Sequence, residues 1–479
     1  MSKATVAIVG GGFSGTVAAI RLLTATRDGT PSLPFGSRVV LIEPGRAGEG
    51  LAYRAGPDCW RLNVPAERMS AFPGRPLDFL EWARGRNPLI GGGDFLPRAW
   101  YGDYLHERLD LARRRSPRWL SYEQIRARAT GIDVAHGSAR ITLSNGETVE
   151  ADRVLLALGN SPNAAPLRNA PQVVNDAWNL DWMDRLPTYV PRVLLIGTGL
   201  TMIDQVLAIA KRRPDARVMA ISRHGLLPQP HEDPQPRPAV KFDAQALLER
   251  GPLSQRLHVF RAQVEAAGGD WRGALQQVRM IIPALWRTAP RRLRRRFLRH
   301  LRAYWDVHRH RVPRETLQKI ESLREKRRLE IMAGRIIGTR AINRGVVVTW
   351  QPRGSDKLVE ELVDMVVNVT GPDGNPRNSD CPLVQSLVEQ RLCEPDGLGL
   401  GWGTDAAGRL FDANGEPSRV LYYAGPFLRA RHWEAIAVPE LRAHVQRAVA
   451  QIAGSLASST GSYIRRIATP LFRREYSLF

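Results

Sequence analysis

Cysteine is scarce: the 479 residues include three, Cys59, Cys381 and Cys393, and no two stand at CxxC or CxxxxC spacing. That pattern argues against a zinc site and against the dithiol relay of disulfide reductases. Lysine is scarcer than arginine, with 6 lysines among 69 basic residues, so guanidinium groups carry nearly all of the net charge of +22. A GC-rich genome produces the same bias, so arginine dominance alone is not a sign of function. No run of about 18 apolar residues is present, and the N-terminus enters a strand with no secretory leader. A cytoplasmic protein with no membrane partner is expected. Hydrophobic content of 43% is ordinary for a soluble enzyme, and the length calls for two or three domains.

The rest of the chain is organised around Thr5 to Gly15, TVAIVGGGFSG. Val6 to Val9 is a continuous apolar run, as expected of a parallel strand covered on both faces. Gly10, Gly12 and Gly15 complete GxGxxG. The first makes the tight turn, the second admits a pyrophosphate against the backbone, and the third lets the following helix lie close. The helix N-terminus offers free N–H groups to that phosphate. A second strand, Arg38 to Glu43, ends on an acid suited to a ribose hydroxyl. The gap from Gly15 to Glu43 exceeds the usual ~20 residues, and Arg27 to Ser37 reads as an inserted loop. This first unit is expected to hold FAD.

GEGLAY (Gly48 to Tyr53) reads as a glycine loop folding over a flavin. DCWRLNVPAERMSAFPG (Asp58 to Gly74), with Trp60, Arg61, Asn63, Arg68 and Met69, reads as a ring-binding wall. Pro76 to Arg118 is helical, with Tyr101 and Tyr104 as packing residues. A hairpin over Ala139 to Val149 leads to RVLLALG, a strand ending at Gly159. The second glycine unit is RVLLIGTGLTMID, with Gly197, Gly199 and Thr201; Met202 stands where a third glycine would be. The next strand ends on Ser222 and Arg223 rather than an acid. Serine and arginine hydrogen-bond a 2′-phosphate that an acid would repel, so NADPH is expected there.

Residues 229 to 328 fit neither unit. After a proline-rich link they become basic amphipathic helices: between Arg287 and Arg328 there are 16 basic and 4 acidic side chains, a net +12. Aromatics are sparse there and no nucleic-acid motif is present, so nucleic acid is not expected as a partner. Trp305, His308 and His310 are the candidates for acid–base or anion-holding work, although histidines two apart on a helix are poorly spaced for a metal. No metal site is expected. Leu362 to Thr370 mirrors RVLLALG, ends at Gly371, and is read as the return of the chain to the FAD domain. A turn at Gly425 and a helix from about Val438 are read as reaching the flavin.

The expected fold is α/β, with two Rossmann-like dinucleotide-binding domains, for FAD and NADPH, and a basic helical insert. Residues 1–185 and 362–454 form the FAD domain, 186–228 and 329–361 the NAD(P)H domain, 229–328 the insert and 455–479 a tail.

Taken together, VAIVGGGFSG, GLAY, LNVPAERM, LLALGN, LLIGTGLTMID, SRHG, RHLRAYWDVHRHR, VVNVTGP and HWEAIAVPELR resemble a bacterial family of FAD/NAD(P)-binding proteins. That family is allied to flavin-containing monooxygenases and amino-acid N-hydroxylases. The resemblance implies FAD at Gly10, Gly12, Gly15 and Glu43, and NADPH near Gly197, Gly199, Thr201 and Arg223. With no cysteine pair or metal motif to accept electrons, dioxygen is the default acceptor. It would oxygenate an amine nitrogen or sulfur of a small anionic metabolite through a flavin C4a-hydroperoxide. A flavin reductase or dehydrogenase without oxygen insertion, and a basic binding or sensing flavoprotein, stay open, as does a homo-oligomer.

Overall fold

The computed structural model describes residues 3–24, 33–160, 167, 170–232, 243, 245–248 and 251–471, the side chains of 458–471 excepted. The chain opens with β1 (Thr5–Val9), α1 (Phe13–Thr24) and β2 (Arg38–Ile42). Next come α2 (Asp78–Arg86), α3 (Arg98–Arg115), β3 (Ser121–Ile125), β4 (Ala129–Ala135), β5 (Ser138–Leu143), β6 (Thr148–Ala151), β7 (Arg153–Leu156) and β8 (Val173–Val174). A second unit begins with β9 (Arg192–Ile196), α4 (Leu200–Arg212) and β10 (Arg217–Ser222). The insert supplies α5 (Leu253–Ala266), α6 (Trp271–Thr288), α7 (Arg291–His300), α8 (Arg302–Arg309) and α9 (Arg314–Glu325). The remainder is β11 (Leu329–Ile342), β12 (Gly345–Pro352), β13 (Val359–Val363), β14 (Met365–Asn368), α10 (Pro382–Glu389), β15 (Arg409–Phe411), β16 (Pro417–Tyr423) and α11 (Val438–Leu471).

The first sheet has the order β15-β16-β7-β1-β2-β3. The strict alternation of β1 explains its layers. Val6 and Ile8 point into a core shared with α1, α3 and α11, while Ala7 and Val9 point into a core shared with the β4-β5-β6 sheet and α10. A strand buried on both faces needs an unbroken apolar run, which is what TVAIV supplies. Helix α1 buries 11 of its 12 residues, consistent with apolar residues all round it.

The second sheet has the order β13-β12-β11-β10-β9-β14-β8. Again Val193 and Leu195 face one core, with α4 and α9, and Leu194 faces another, with Val346, Val348 and Trp350.

The placement of β14 corrects the expected return of Leu362 to Thr370 to the FAD domain. That stretch breaks at Asp364, whose carboxylate accepts from the Arg192 N–H at 2.7 Å and the Tyr189 hydroxyl at 2.5 Å. The part beyond it pairs parallel with β9, Met365 opposite Val193. In the first sheet β7 is already flanked by β1 and β16, so this apolar strand finds two-faced burial only beside β9. The second sheet therefore takes in residues beyond 361, and through β8 it takes in Val173 and Val174, before 186. The chain rejoins the first sheet at β15 and β16. Helix α11 runs through the boundary expected at 455. Residues 27–32 of the inserted loop, 233–238 of the proline-rich link and 472–479 of the tail lie outside the described residues.

Candidate dinucleotide sites and the insert

In both sheets the order reverses at one point, between β1 and β7 and between β9 and β14. Crevices beyond the carboxyl ends of strands at such points are where nucleotides bind in open α/β sheets. The two are built alike. Gly10 has φ +100°, and a Cβ there would lie 2.6 Å from the Ala157 carbonyl oxygen; Gly197 has φ +121°, and its Cβ would lie 2.7 Å from the Val369 carbonyl oxygen. Each glycine thus satisfies both a left-handed turn and a close approach to the neighbouring strand.

In the first crevice a Cβ on Gly15 would fall 1.8 Å from the Gly10 carbonyl oxygen, which is why α1 sits so close to β1. Gly12 is different: its Cβ would meet only the Gly50 Cα, at 3.5 Å. Its bareness is not required by protein packing and leaves room for a ligand. Glu43 accepts from the Gly11 N–H at 2.6 Å and the Gly45 N–H at 2.9 Å, so the acid expected to meet a ribose stands at the glycine turn. The GEGLAY loop closes the other side through Gly48 N–H to the Gly11 carbonyl, 2.8 Å. Gly159 follows β7 in open space. Gly425 follows β16, where a Cβ would meet the Tyr423 hydroxyl at 2.7 Å and the Leu158 carbonyl at 2.8 Å. The Tyr423 hydroxyl braces this junction by donating to the Leu158 carbonyl.

Tyr53 lies edge-on to Tyr101, ring centroids 4.7 Å apart, and burial pushes its phenol up to about 12. Asn63 offers its backbone carbonyl to His231 Nε2 at 3.0 Å. Trp60 and Met69 of the expected ring-binding wall are core residues instead. The Trp60 indole N–H donates to the Asp204 carbonyl across the two units. Beside it Arg98 of α3 pairs with Asp204 of α4 at 2.7 Å. Burial outweighs the attraction of Arg98 and pushes the Asp204 carboxyl up to about 6.

In the second crevice Gly199 stands at the start of α4 with no neighbour where a Cβ would be. Thr201 is in the first turn of α4. Met202 is fully buried in the core, so its side chain packs the helix where a third glycine would have brought it nearer the turn. The Ser222 hydroxyl is engaged by Thr198 at 2.8 Å and accepts the Gly225 N–H at 3.0 Å. Arg223, by contrast, lines an open groove with Arg335, Gln351, Arg353 and Ser355. Arg335 and Arg353 were not singled out in the sequence; the only signal there was the Pro-Arg-Gly-Ser turn after β12. Gly371, with φ +88°, ends β14 in this crevice and not in the first.

The insert is docked on the stretch between β16 and α11. Trp286 donates to the Ala430 carbonyl at 3.1 Å and packs on Trp433 at 4.9 Å. Glu434 accepts from Trp305 Nε1 at 3.2 Å and from Arg309 Nε at 2.5 Å. The three candidates for catalysis are held by different partners. Trp305 is bound to Glu434, and His308 Nδ1 lies 2.7 Å from the Tyr304 carbonyl of its own helix with its ring edge-on to Trp271. His310 is pushed down to about 3 by burial and then by Arg309, so it is a neutral imidazole. Cys59, Cys381 and Cys393 are all free thiols.

These two crevices define a two-dinucleotide-binding flavoprotein fold, and the glycine cradles, the acid at Glu43 and the guanidinium groove at Arg223 fit FAD and NADPH respectively. Residues 7–161 match a family model described as FAD-NAD(P)-binding. The ornithine N-hydroxylase of Kutzneria sp. 744 is 16% identical with a TM-score of 0.61, covering 96% of this chain and 100% of that one. L-lysine 6-monooxygenase from Pseudomonas syringae is 17% identical with a TM-score of 0.63, covering 95% and 99%. The nitrosuccinic acid synthase of Aspergillus oryzae is 29% identical over 179 residues, 34% of this chain. The match spans only 27% of that relative's length. Among the described residues no helix is long and apolar enough to cross a membrane.

Proposed function

We propose that this chain is an FAD- and NADPH-dependent monooxygenase that oxygenates the nitrogen, or a sulfur, of a small anionic metabolite. The observation that supports it best is the pair of like-built crevices, Gly10 against Ala157 and Gly197 against Val369, in one chain. The solved structures it resembles include enzymes named as ornithine and lysine hydroxylases. The partial relative is named for making a nitro derivative of a dicarboxylic acid.

FAD held in the first crevice and NADPH in the second would together supply the oxygen-activating chemistry. The chain's own part is binding and orientation. Gly10, Gly12 and Gly15 would bare the backbone to the pyrophosphate, and Glu43 would accept a hydrogen bond from the ribose hydroxyl. Gly159, Gly425, Tyr53 and Asn63 would border the flavin. Gly199 and Thr201 would receive the second pyrophosphate at the start of α4, and Arg223, Arg335 and Arg353 would hold the 2′-phosphate. The aromatic face of Trp286, Phe297 and Trp433 closes the insert against the stretch between β16 and α11.

The test is an oxygen balance on the flavin-loaded enzyme with candidate amines. Product gaining one oxygen per NADPH, with little hydrogen peroxide, is expected; all NADPH electrons appearing as peroxide or in another acceptor would overturn oxygen insertion and leave a reductase. For the cofactor, Arg223→Ala and Arg353→Ala should each raise the KM for NADPH about tenfold or more, as loss of a charge-assisted hydrogen bond does. The KM for NADH should be unmoved. Equal effects on both nucleotides would remove the 2′-phosphate assignment.

A further inference from the structure

The two dinucleotide units are joined through one short pairing. Residues 60–62 run antiparallel to 96–98: the Arg98 N–H donates to the Trp60 carbonyl at 3.0 Å and the Leu62 N–H to the Leu96 carbonyl at 2.8 Å. Alternate residues of extended chain point opposite ways. Leu62 accordingly enters the core of the first unit, while Trp60 enters the core of the second and is 4% exposed there. A tryptophan of one unit is thus a core residue of the other.

Both halves of the pairing reach one residue of α4. The Trp60 indole N–H donates to the Asp204 carbonyl at 2.9 Å, and the Arg98 guanidinium meets the Asp204 carboxylate at 2.7 Å. Arg98 Nε donates to the Arg61 carbonyl at 3.0 Å, and the guanidinium lies over the Trp178 ring, which is itself edge-on to Trp60. With its Nε and its face both engaged, the planar fork meets the carboxylate in one orientation. Each end of this pair is about one helical turn from a cofactor grip. Asp204 follows Thr201 by three residues on α4. Arg98 precedes Gly102 by four on α3, and a Cβ on Gly102 would meet the Tyr53 carbonyl at 2.4 Å, so α3 backs the loop that closes the first crevice.

We propose that Arg98 and Asp204, braced by the Trp60 indole, are positioning residues for the step in which NADPH gives up one hydride and the flavin takes it. Their contact fixes the start of α4 against the start of α3, and protonation of Asp204 releases it. This rests on reading the crevices as FAD and NADPH sites and is independent of oxygen insertion. The Asp204 carboxylate is buried, and burial raises it to about 6 against the attraction of Arg98. The other titratable and charged groups facing the joint are Tyr53 on the closing loop, Cys59 beside Trp60, Lys211 of α4 and Lys319 of α9. Burial pushes the Tyr53 phenol and the Cys59 thiol up, so neither changes charge where Asp204 does.

The experiment is anaerobic stopped-flow reduction of the flavin-loaded protein by NADPH, with hydrogen–deuterium exchange of the same protein read by mass spectrometry. At pH 7.5 Asp204→Asn should slow flavin reduction about tenfold or more, the cost of a small misplacement of reacting groups. Half-saturation by NADPH should move by less than about twofold. The wild-type rate should fall along a one-proton curve centred near pH 6, and the variant should be flat from pH 7.5 to 5.5. The histidines that lower stability in acid are present in both proteins, so they do not produce this difference. Trp60→Phe keeps an aromatic ring in the second core and loses the indole N–H; it should slow reduction less and keep the pH curve, and it carries the test where Asp204→Asn does not fold. Exchange should show 60–62 and 96–98 losing protection in Asp204→Asn while β1 and β9 keep theirs. Loss of protection throughout both sheets, unchanged exchange at the joint, an unchanged rate, or a pH curve retained in Asp204→Asn overturns the proposal. Wild-type protein that NADPH does not reduce would overturn the cofactor reading instead, and exchange, which needs no nucleotide, still decides the joint.

Discussion

Gly15→Ala is expected to give protein that neither holds flavin nor reaches the wild-type thermal midpoint. The new methyl would sit 1.8 Å from the Gly10 carbonyl oxygen and 3.2 Å from the Ala157 Cβ. The first contact is with backbone, not with the flexible end of a side chain, so α1 as a whole must move away from β1. Helix α1 is buried on nearly every face, and displacing it disturbs the core shared with α3 and α11. Overpacking of this kind costs about 3 kcal/mol or more, which lowers the midpoint by roughly 10 °C in a domain of this size. Gly12→Ala is the control. Its methyl has only ordinary contact with Gly50, so the apoprotein midpoint should stay within about 2 °C of wild type while flavin affinity falls. Scanning calorimetry and flavin absorbance of the two variants check both halves. A yellow, fully stable Gly15→Ala protein would show that the cradle is not what binds FAD.

Stability should fall steeply on acidification below pH 6.5. Four histidines are held neutral, each by burial first: His231 and His432 are pushed down to about 4, His310 and His444 to about 3. Neighbouring charges reinforce each shift: Arg311 at His231, Arg447 at His432, Arg309 at His310, and His432 at His444. The rings of His432 and His444 are 4.4 Å apart, so one cannot charge without opposing the other. A lowered folded-state value means that the unfolded chain takes up protons first, near 6.5, so stability is present above that pH and is lost as the pH falls.

Two carboxyls act the other way. Asp204 is raised to about 6 by burial, so the native state keeps its proton and gains stability as pH falls through that value, and Asp306, also raised by burial, acts in the same direction. The four imidazoles outweigh the two carboxyls, so unfolding takes up protons near pH 5 and stability falls with the pH there. His432, the least buried of the four, contributes less than a full share. Urea midpoints measured from pH 7.5 to 5 should therefore drop. His444→Gln should reduce the slope by about one proton, near 1.4 kcal/mol per pH unit. A flat profile between pH 7 and 5 would mean that these imidazoles reach water.

The glycine signals were legible because they answer to local geometry. TVAIVGGGFSG and RVLLIGTG each carry the strand run and the turn in consecutive residues, and a missing Cβ is visible in one dimension. The same holds for the packing role expected of Tyr101 and Tyr104, both fully buried. RVLLALG and LVDMVVNVTG read alike because they are the same element of two like units. Which sheet each joins depends on which edge is vacant, and nothing within the ten residues records that. The groove of Arg223, Arg335 and Arg353 escaped notice for a related reason, since its members come from just after β10, the middle of β11 and just after β12.

From its residues alone the chain specified two strand–glycine–helix crevices, an acid beside the first turn, a guanidinium after β10 and a basic insert, since each rests on residue type, periodicity or a turn of a few residues. The fold alone decided that β14 pairs with β9 in the second sheet and that the insert docks through Glu434 and Glu440. Pairing between strands and between charges is settled by distance in space. Residues 168 positions apart, as Asn63 and His231 are, become bonded only once the hydrophobic layers between them have packed.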